Sequence, residues 1–202
     1  MRYFVLMLVC CSLFISATEV KFSATYINQG TGDNCNYDLI LKDGSKISIQ
    51  KIGCGLCSCA MGAEIQFGLK FTTHAKLKAL AQYAINKGWL TKNGMGYAGI
   101  DSLWKYLRNS RDEEDLKLEM VVFSDEQDNR SEQEYVKSKL WQRVPVIVHR
   151  TGHYYLLTGI KKDSAGVIYV WVQDPGARAK SNKWTKITAI YAEAKHYILL
   201  KK

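Results

Sequence analysis

The spacing of apolar residues changes along the chain and predicts different elements in its two halves. Residues 38–50 alternate between apolar and polar, and Asp43-Gly44 interrupts them, which predicts a β-hairpin. Apolar and small residues then recur at helical spacing, and they predict three helices, at residues 54–67, 73–87 and 100–107. The first half is therefore expected to be mainly helical.

The second half is richer in β-branched and aromatic residues. One more helix is predicted at residues 131–141, where Ser131 and Glu134 have the spacing of a capping box. Strands are predicted at residues 118–123, 144–149, 154–160, 167–172 and 197–200. Helices followed by antiparallel strands are typical of an α+β fold, and no linker or repeat divides it. We therefore expect one domain with two lobes over residues 18–202.

The first seventeen residues have the pattern of a secretory signal peptide. Arg2 precedes an uncharged run at residues 3–15, and small residues follow at Ser16-Ala17. The run is too short to span a bilayer comfortably. We expect removal of residues 1–17 and a mature chain that begins near Thr18. Its expected location is extracellular, or the lumen of the secretory pathway, as a monomer without stable membrane association.

The charge of the chain limits its partners. The sequence has 28 lysines and arginines against 19 acidic residues, a formal net charge of +9. The lysines are scattered along the sequence and do not cluster with aromatic residues, so a nucleic-acid partner is not expected. A basic secreted protein is attracted to anionic surfaces such as bacterial walls or acidic glycans. A basic surface that serves only solubility explains the charge equally well.

Four cysteines follow the predicted signal: Cys35, Cys54, Cys57 and Cys59. An even number of cysteines in an oxidising compartment predicts disulfide bonds. A bridge from Cys35 to Cys57 or Cys59 would tie the N-terminal hairpin to the first long helix. The sequence does not choose between these pairings, nor between them and one pair with free thiols.

Cys54 lies where a loop ends and a helix is predicted to begin. Unpaired N–H groups and the positive end of the helix dipole stabilise a thiolate there, and the thiolate is the nucleophilic form of cysteine. The same N–H groups can bind an oxyanion. Gly53 and Gly55 are expected to let a substrate backbone approach closely. These features predict Cys54 as a catalytic nucleophile.

His153 and Asp174 are expected to meet across two adjacent strands. His153 begins one predicted strand, and Asp174 follows the next in the turn sequence Asp174-Pro175-Gly176. Antiparallel pairing of these strands brings the imidazole and the carboxylate together. A carboxylate in that place fixes the tautomer and the orientation of the ring. The predicted roles are general base for His153 and orienting carboxylate for Asp174.

Several ordered motifs resemble those of the C39-like (bacteriocin-processing-like) cysteine peptidase group. Residues 53–61 are similar to its GCGPxSxAM segment, residues 144–148 to its strand before the histidine, residues 152–160 to its GHxxxxTGI segment, and residues 173–176 to its DPG segment. The resemblance implies a papain-like fold and amide hydrolysis through a thioester by Cys54, His153 and Asp174. It implies a peptide or peptidoglycan-like substrate and no metal or organic cofactor.

The chain departs from this family pattern at two positions. Leu56 stands where the family often has proline. Related enzymes usually carry an oxyanion-hole glutamine about six residues before the cysteine, where this chain has Ser48. Gln50, four residues before Cys54, is the candidate for that role.

Three other readings of the cysteines remain open at this point. The Cys54-Gly55-Leu56-Cys57 sequence is also the C-x-x-C motif of thioredoxin-like oxidoreductases, which would leave His153 and Asp174 without a role. A zinc site at the three clustered cysteines lacks a matching second half. A papain-like binding module, with all cysteines in disulfides and no activity, is the third reading. A count of free thiols distinguishes the enzyme from this module.

Overall fold

The computed structural model describes residues 18–30, 38–110 and 129–200. The predicted signal at residues 1–17, Cys35 and the predicted strand at residues 118–123 lie outside the described residues. Among the described residues, no helix is long and apolar enough to cross a membrane.

Within the described residues, six antiparallel strands form the central sheet. Five of them are hydrogen-bonded in the order β7-β6-β5-β4-β8, and β1 pairs with the second half of β5. A separate hairpin is formed by β2 and β3, with Gly44 at φ 81° in its turn. The bounds are β1 Glu19–Lys21, β2 Asp38–Ile40, β3 Lys46–Ser48, β4 Val146–Arg150, β5 His153–Lys162, β6 Ile168–Gln173, β7 Lys183–Lys186 and β8 His196–Leu199.

Helices cover both faces of the sheet. Their bounds are α1 Ile49–Ile52, α2 Cys54–Phe67, α3 His74–Lys87, α4 Tyr97–Asn109, α5 Asn129–Trp141 and α6 Ile187–Glu193, with a 3₁₀ turn at Arg178–Lys180. The side chain of Thr73 accepts a hydrogen bond from the N–H of Lys76 and so caps α3. Gly88 ends this helix in the left-handed conformation, at φ 79°.

Strand β5 separates two hydrophobic cores. Tyr154 and Leu156 belong to the core that contains α2, α3 and α4. Tyr155 and Leu157, which alternate with them, belong to the core formed with α5 and α6. Full burial of one such leucine stabilises the fold by about 1.5–3 kcal/mol. The central strand is therefore held from both sides, and its first residue is His153.

An N-terminal segment at residues 22–30 joins the sheet to α2. The buried side chain of Gln173 exchanges two hydrogen bonds with the backbone of Ala24, at 2.9 and 3.1 Å. One residue later, Thr25 binds the Glu64 carboxylate on α2 through its N–H, at 3.0 Å, and its hydroxyl, at 2.9 Å. The segment therefore connects the two lobes.

The predicted α+β fold, with a helical lobe before an antiparallel sheet, is confirmed. The hairpin, the helices and the strands predicted within the described residues are all present, with small shifts of their ends. Two local predictions are wrong. The alternation at residues 38–50 does not continue to its end, because Ile49 and Ile52 are both buried at helical spacing and form α1. Helix α5 begins at Asn129, so Ser131 lies inside the helix and is not its N-cap.

Candidate active site

Cys54 is the first residue of α2. Helix α1 ends at Ile52, Gly53 links the two helices, and the N–H of Cys57 donates to the Gly53 carbonyl at 2.8 Å. The N–H groups of the first helical turn have no partner within the helix and point out of its N-terminus. Cys54 is half-buried and its thiol is free. A reading of Cys54 as half of a disulfide is therefore wrong.

The two glycines beside Cys54 serve packing within the protein. A Cβ added at Gly53 would lie 2.6 Å from the Ile49 carbonyl oxygen. A Cβ added at Gly55 would lie 3.3 Å from the Met95 side chain and 3.4 Å from the Tyr154 ring. Both glycines are buried. The expectation that they give space to a substrate backbone is wrong, because neighbouring protein atoms already occupy that space.

His153 and Asp174 are hydrogen-bonded, as the strand topology predicts. The Nε2 atom of His153 lies 2.6 Å from Oδ1 of Asp174. His153 begins β5, and Asp174 follows the last residue of β6, which pairs with β5. The exposed fraction of the side chain is 15% for His153 and 4% for Asp174, so water competes little for this bond.

Hydrogen bonds hold both the backbone and the carboxylate of Asp174. The N–H of Gly176 donates to Oδ1 of Asp174 at 2.9 Å, so this oxygen has two donors. The hydroxyl of Tyr26 donates to the Asp174 carbonyl at 2.8 Å. The hydroxyl of Ser181 accepts from the Asp174 N–H at 2.5 Å and donates to its carbonyl at 2.6 Å. The carboxylate is therefore held in one orientation towards the imidazole.

Gly176 lies against the ring of His153. A Cβ at this position would come within 2.6 Å of the ring atom Cε1 and 3.4 Å of both ring nitrogens. Any larger residue would push the ring or the turn aside. The glycine of the Asp174-Pro175-Gly176 turn thus sets the place of the imidazole as well as binding the carboxylate.

The environment of His153 favours the charged imidazolium. Burial lowers the pKa of His153, but hydrogen bonds and charges from Asp174 and Cys54 raise it more, and it reaches about 9. Because Nε2 is engaged by Asp174, Nδ1 is the nitrogen that remains for the hydrogen bond with Cys54. At neutral pH the His153 side chain is therefore favoured as the imidazolium. The structure brings Cys54, His153 and Asp174 together.

Gln50 occupies a different environment from the one expected of an oxyanion-hole residue. Its side chain is exposed, and its carbonyl oxygen accepts a hydrogen bond from Nε2 of Gln29 at 2.8 Å. The role of Gln50 remains a prediction. Gln29 is itself buried, and its N–H donates to the Pro175 carbonyl at 2.7 Å. This residue therefore links the turn after Asp174 to the helix before Cys54.

The other cysteines of the C-x-x-C-x-C sequence lie inside the protein. Cys57 and Cys59 are completely buried in α2. Burial raises the pKa of the Cys59 thiol far above its ordinary value, so this thiol stays protonated. The thiol of Cys59 is free, so the predicted bridge from Cys35 to Cys59 is not present. The alternative bridge from Cys35 to Cys57 remains a prediction. Within the described residues, no group of three His, Cys, Asp or Glu side chains could hold a metal ion.

The sequence reasoning missed the residues that support the triad. Gln29 and Tyr26 come from a segment without helical or strand periodicity, and Ser181 lies in a loop after a 3₁₀ turn. Tyr26 and Gln29 act through contacts with residues distant in sequence, and Ser181 contacts Asp174 across the turn. Polar residues in irregular segments carry no pattern that would single them out.

Comparisons with known proteins find structural similarity at low sequence identity. No family model matches the chain, and no curated protein matches it. Among solved structures, the chain is similar to the crystal structure of UfSP from C. elegans. The alignment has 12% sequence identity and a TM-score of 0.48, and it covers 90% of this chain and 34% of that chain. This chain thus spans about a third of the length of that structure. A TM-score this low does not indicate an activity, and the resemblance to the C39-like group remains a prediction.

Proposed function

We propose that this protein is a cysteine peptidase or amidase with Cys54 as nucleophile, His153 as general base and acid, and Asp174 as orienting carboxylate. The main support is the 2.6 Å bond from His153 Nε2 to Asp174, made by an imidazole that also binds Cys54. A helix-borne cysteine opposite a histidine held by a polar partner is the arrangement of papain-like proteases.

The proposed reaction has two steps. The Cys54 thiolate attacks the amide carbon, and N–H groups of the first turn of α2 stabilise the oxyanion. The C–N bond breaks, the His153 imidazolium gives its proton to the leaving amine, and a thioester remains. His153, now neutral, takes a proton from water, and the resulting hydroxide attacks the thioester. The second oxyanion collapses to the carboxylic acid and regenerates the Cys54 thiolate and the imidazolium.

The proposed substrate is a peptide, with bacterial wall peptides as the first class to examine. The support is the formal net charge of +9, since a basic protein is attracted to an anionic wall. The proposed setting is extracellular, on the basis of the signal-like residues 1–17. Both proposals are independent of the reaction type.

Alkylation by iodoacetamide tests the nucleophile without a known substrate. The full chain, unreduced, is treated between pH 5 and 9, and each modified cysteine is identified by mass spectrometry. We expect fast labelling of Cys54 near pH 6–7, where the His153 imidazolium is present to pair with a thiolate. The completely buried Cys59 serves as an internal control and should stay unmodified until the protein unfolds.

The variant His153→Ala removes the cation and should slow Cys54 labelling at pH 6–7 by at least about tenfold. If Cys54 is labelled only above the ordinary thiol pKa, and at the same rate in His153→Ala as in the parent, then Cys54 is not an activated nucleophile. Hydrolysis of wall cross-link peptides is then measured with Cys54→Ala as the inactive control. Activity that survives Cys54→Ala would contradict the mechanism.

A further inference from the structure

Four strands carry a set of lysine and aromatic side chains on one face of the sheet, and none of these residues belongs to the proposed active site. We call this the lysine–aromatic face and define it by six residues: Lys21, Lys161, Tyr169, Trp171, Trp184 and Lys186. They come from β1, β5, β6 and β7. The lysines are far apart in sequence, so the pairing of strands is what brings them next to aromatic rings.

The strand register arranges these residues in two rows. Directly opposed residues share a face of a sheet, and the first row runs Glu19–Lys161–Tyr169–Lys186 across the four strands. The second row contains Lys21 opposite Gly159 on β1 and β5, and Trp171 opposite Trp184 on β6 and β7. At about 4.8 Å between strands, each row is about 14 Å long. The face is therefore wide enough for a short stretch of a polymer.

A glycine brings the second row together. A Cβ at Gly159 would lie 3.1 Å from Cβ of Trp171 and 2.9 Å from the carbonyl oxygen of Val20. Without a side chain there, Lys21 reaches across the strand, and its Nζ lies 3.3 Å from the centre of the Trp171 ring. Nζ of Lys161 lies 4.6 Å from the centre of the Trp184 ring. Ammonium groups and rings thus alternate over this face.

The aromatic rings of this face do not contribute to either hydrophobic core. Tyr169, Trp171 and Trp184 are half-buried, and they belong to neither cluster of buried residues in the described part of the chain. Large rings left at the surface beside charged groups are typical of a binding surface. The rows hold three lysines and one glutamate, so the complementary ligand is an anion.

We propose that the lysine–aromatic face binds an acidic polysaccharide, a polymer with carboxylate groups along a sugar chain. The ammonium groups pair with the carboxylates, and the sugar rings contact the half-buried aromatic side chains beside them. Single-stranded nucleic acid fits less well, because its bases stack on open ring faces. Here Lys21 covers Trp171, Lys161 covers Trp184, and the two indoles are inclined at 73° and form no flat platform.

This face lies close to the proposed active site but is separate from it. Trp171 precedes Asp174 by three positions on β6, a distance of about 10 Å along the strand. Binding and hydrolysis can be measured apart, so failure of this proposal is distinguishable from failure of the proposed reaction.

The test uses the full chain and polygalacturonate, with binding followed by isothermal titration calorimetry at low and at physiological salt. The charge-reversal pair Lys21→Glu with Lys161→Glu should weaken binding about thirtyfold. The matched pair Lys76→Glu with Lys87→Glu changes the net charge equally on the exposed surface of α3, and it should change binding less than about twofold. Neutral dextran should not bind, and Cys54→Ala should bind as the parent does.

A second variant keeps the charge and removes a ring. Trp184→Leu, on the edge strand β7, should weaken binding about fivefold. Circular dichroism of each variant establishes that it is folded. Equal losses in the two charge-reversal pairs would mean that only the overall charge matters and would overturn the proposal. So would no binding of polygalacturonate, or tighter binding of oligothymidylate at the same salt concentration.

Discussion

Replacement of Asp174 by asparagine isolates the electrostatic part of its interaction with His153. Asparagine keeps an oxygen that can accept from Nε2 of His153 and from the N–H of Gly176, the two donors that Oδ1 has now. The backbone bonds of Asp174 to Ser181 and Tyr26 are also retained. The substitution therefore removes a negative charge from a site that is otherwise unchanged.

The expected effect is a large fall in the pKa of His153. Burial lowers this pKa, yet the charges and hydrogen bonds of Asp174 and Cys54 raise it from 6.5 to about 9. A net difference of that size favours the imidazolium by about 3 kcal/mol. Loss of the Asp174 charge should lower the pKa of His153 by about 1–2 units, because less electrostatic stabilisation of the imidazolium then offsets the effect of burial.

The same shift has a consequence for stability. The pKa of His153 is raised on folding, so its contribution is fully present below about pH 6.5 and is lost as the pH rises through about 9. Asp174→Asn should therefore unfold in urea at lower concentration than the parent at pH 6, and the difference should shrink at pH 10. Circular dichroism in urea at the two pH values measures it.

The direct assay is an NMR titration of the imidazole C–H signals of the four histidines. His153→Gln identifies the signal of His153, and the parent and Asp174→Asn are then titrated from pH 5 to 10. A parent pKa at or below 6.5 would refute the electrostatic reasoning. An unchanged pKa in Asp174→Asn would refute the contribution assigned to the carboxylate.

Two further substitutions test the packing around the triad. Gly176→Ala should slow both hydrolysis and the alkylation of Cys54 by at least about tenfold, because its Cβ would lie 2.6 Å from the His153 ring. Gly96→Ala is the control, because no atom lies within 4 Å of a Cβ at that position. Equal rates in the two variants would contradict the role assigned to Gly176. Gln29→Ala should lower the free energy of unfolding in urea by about 1–3 kcal/mol, since it leaves a carbonyl without its donor. Thr25→Val changes an exposed residue of the same segment and should lower the free energy of unfolding by less. A larger loss in Thr25→Val than in Gln29→Ala would contradict the importance assigned to the buried amide of Gln29.

The elements with strong periodicity were predictable, and the short polar ones were not. Helix α2 begins and ends where the pattern predicts, and every residue from 55 to 63 within it is buried. Strand β7 reads Lys-Trp-Thr-Lys and has no apolar alternation, so only its pairing with β6 makes it a strand. Strand β1 has three residues and depends in the same way on β5. Tertiary contacts decide such segments, and a local pattern does not contain them.

The residues of the candidate site could be predicted only in part from the sequence. Cys54 and Asp174 lie at the ends of regular elements, where sequence patterns indicate a boundary, and the antiparallel order of β5 and β6 then places His153. The oxyanion-hole candidate rested on counting back from the cysteine to Gln50. That count assumes a fixed loop, whereas the chain forms α1 there and exposes the side chain.

The long separation between the two halves of the site has a consequence for biosynthesis. Cys54 leaves the ribosome well before β5 and β6, which carry the imidazole and its carboxylate. Until β6 pairs with β5, the Asp174 carboxylate is not held beside His153. In the proposed mechanism, the nucleophile and its oriented base therefore come together only when the late-synthesised strands pair. If the proposed mechanism holds, the rate of Cys54 alkylation would measure whether β5 and β6 have paired in a newly synthesised chain.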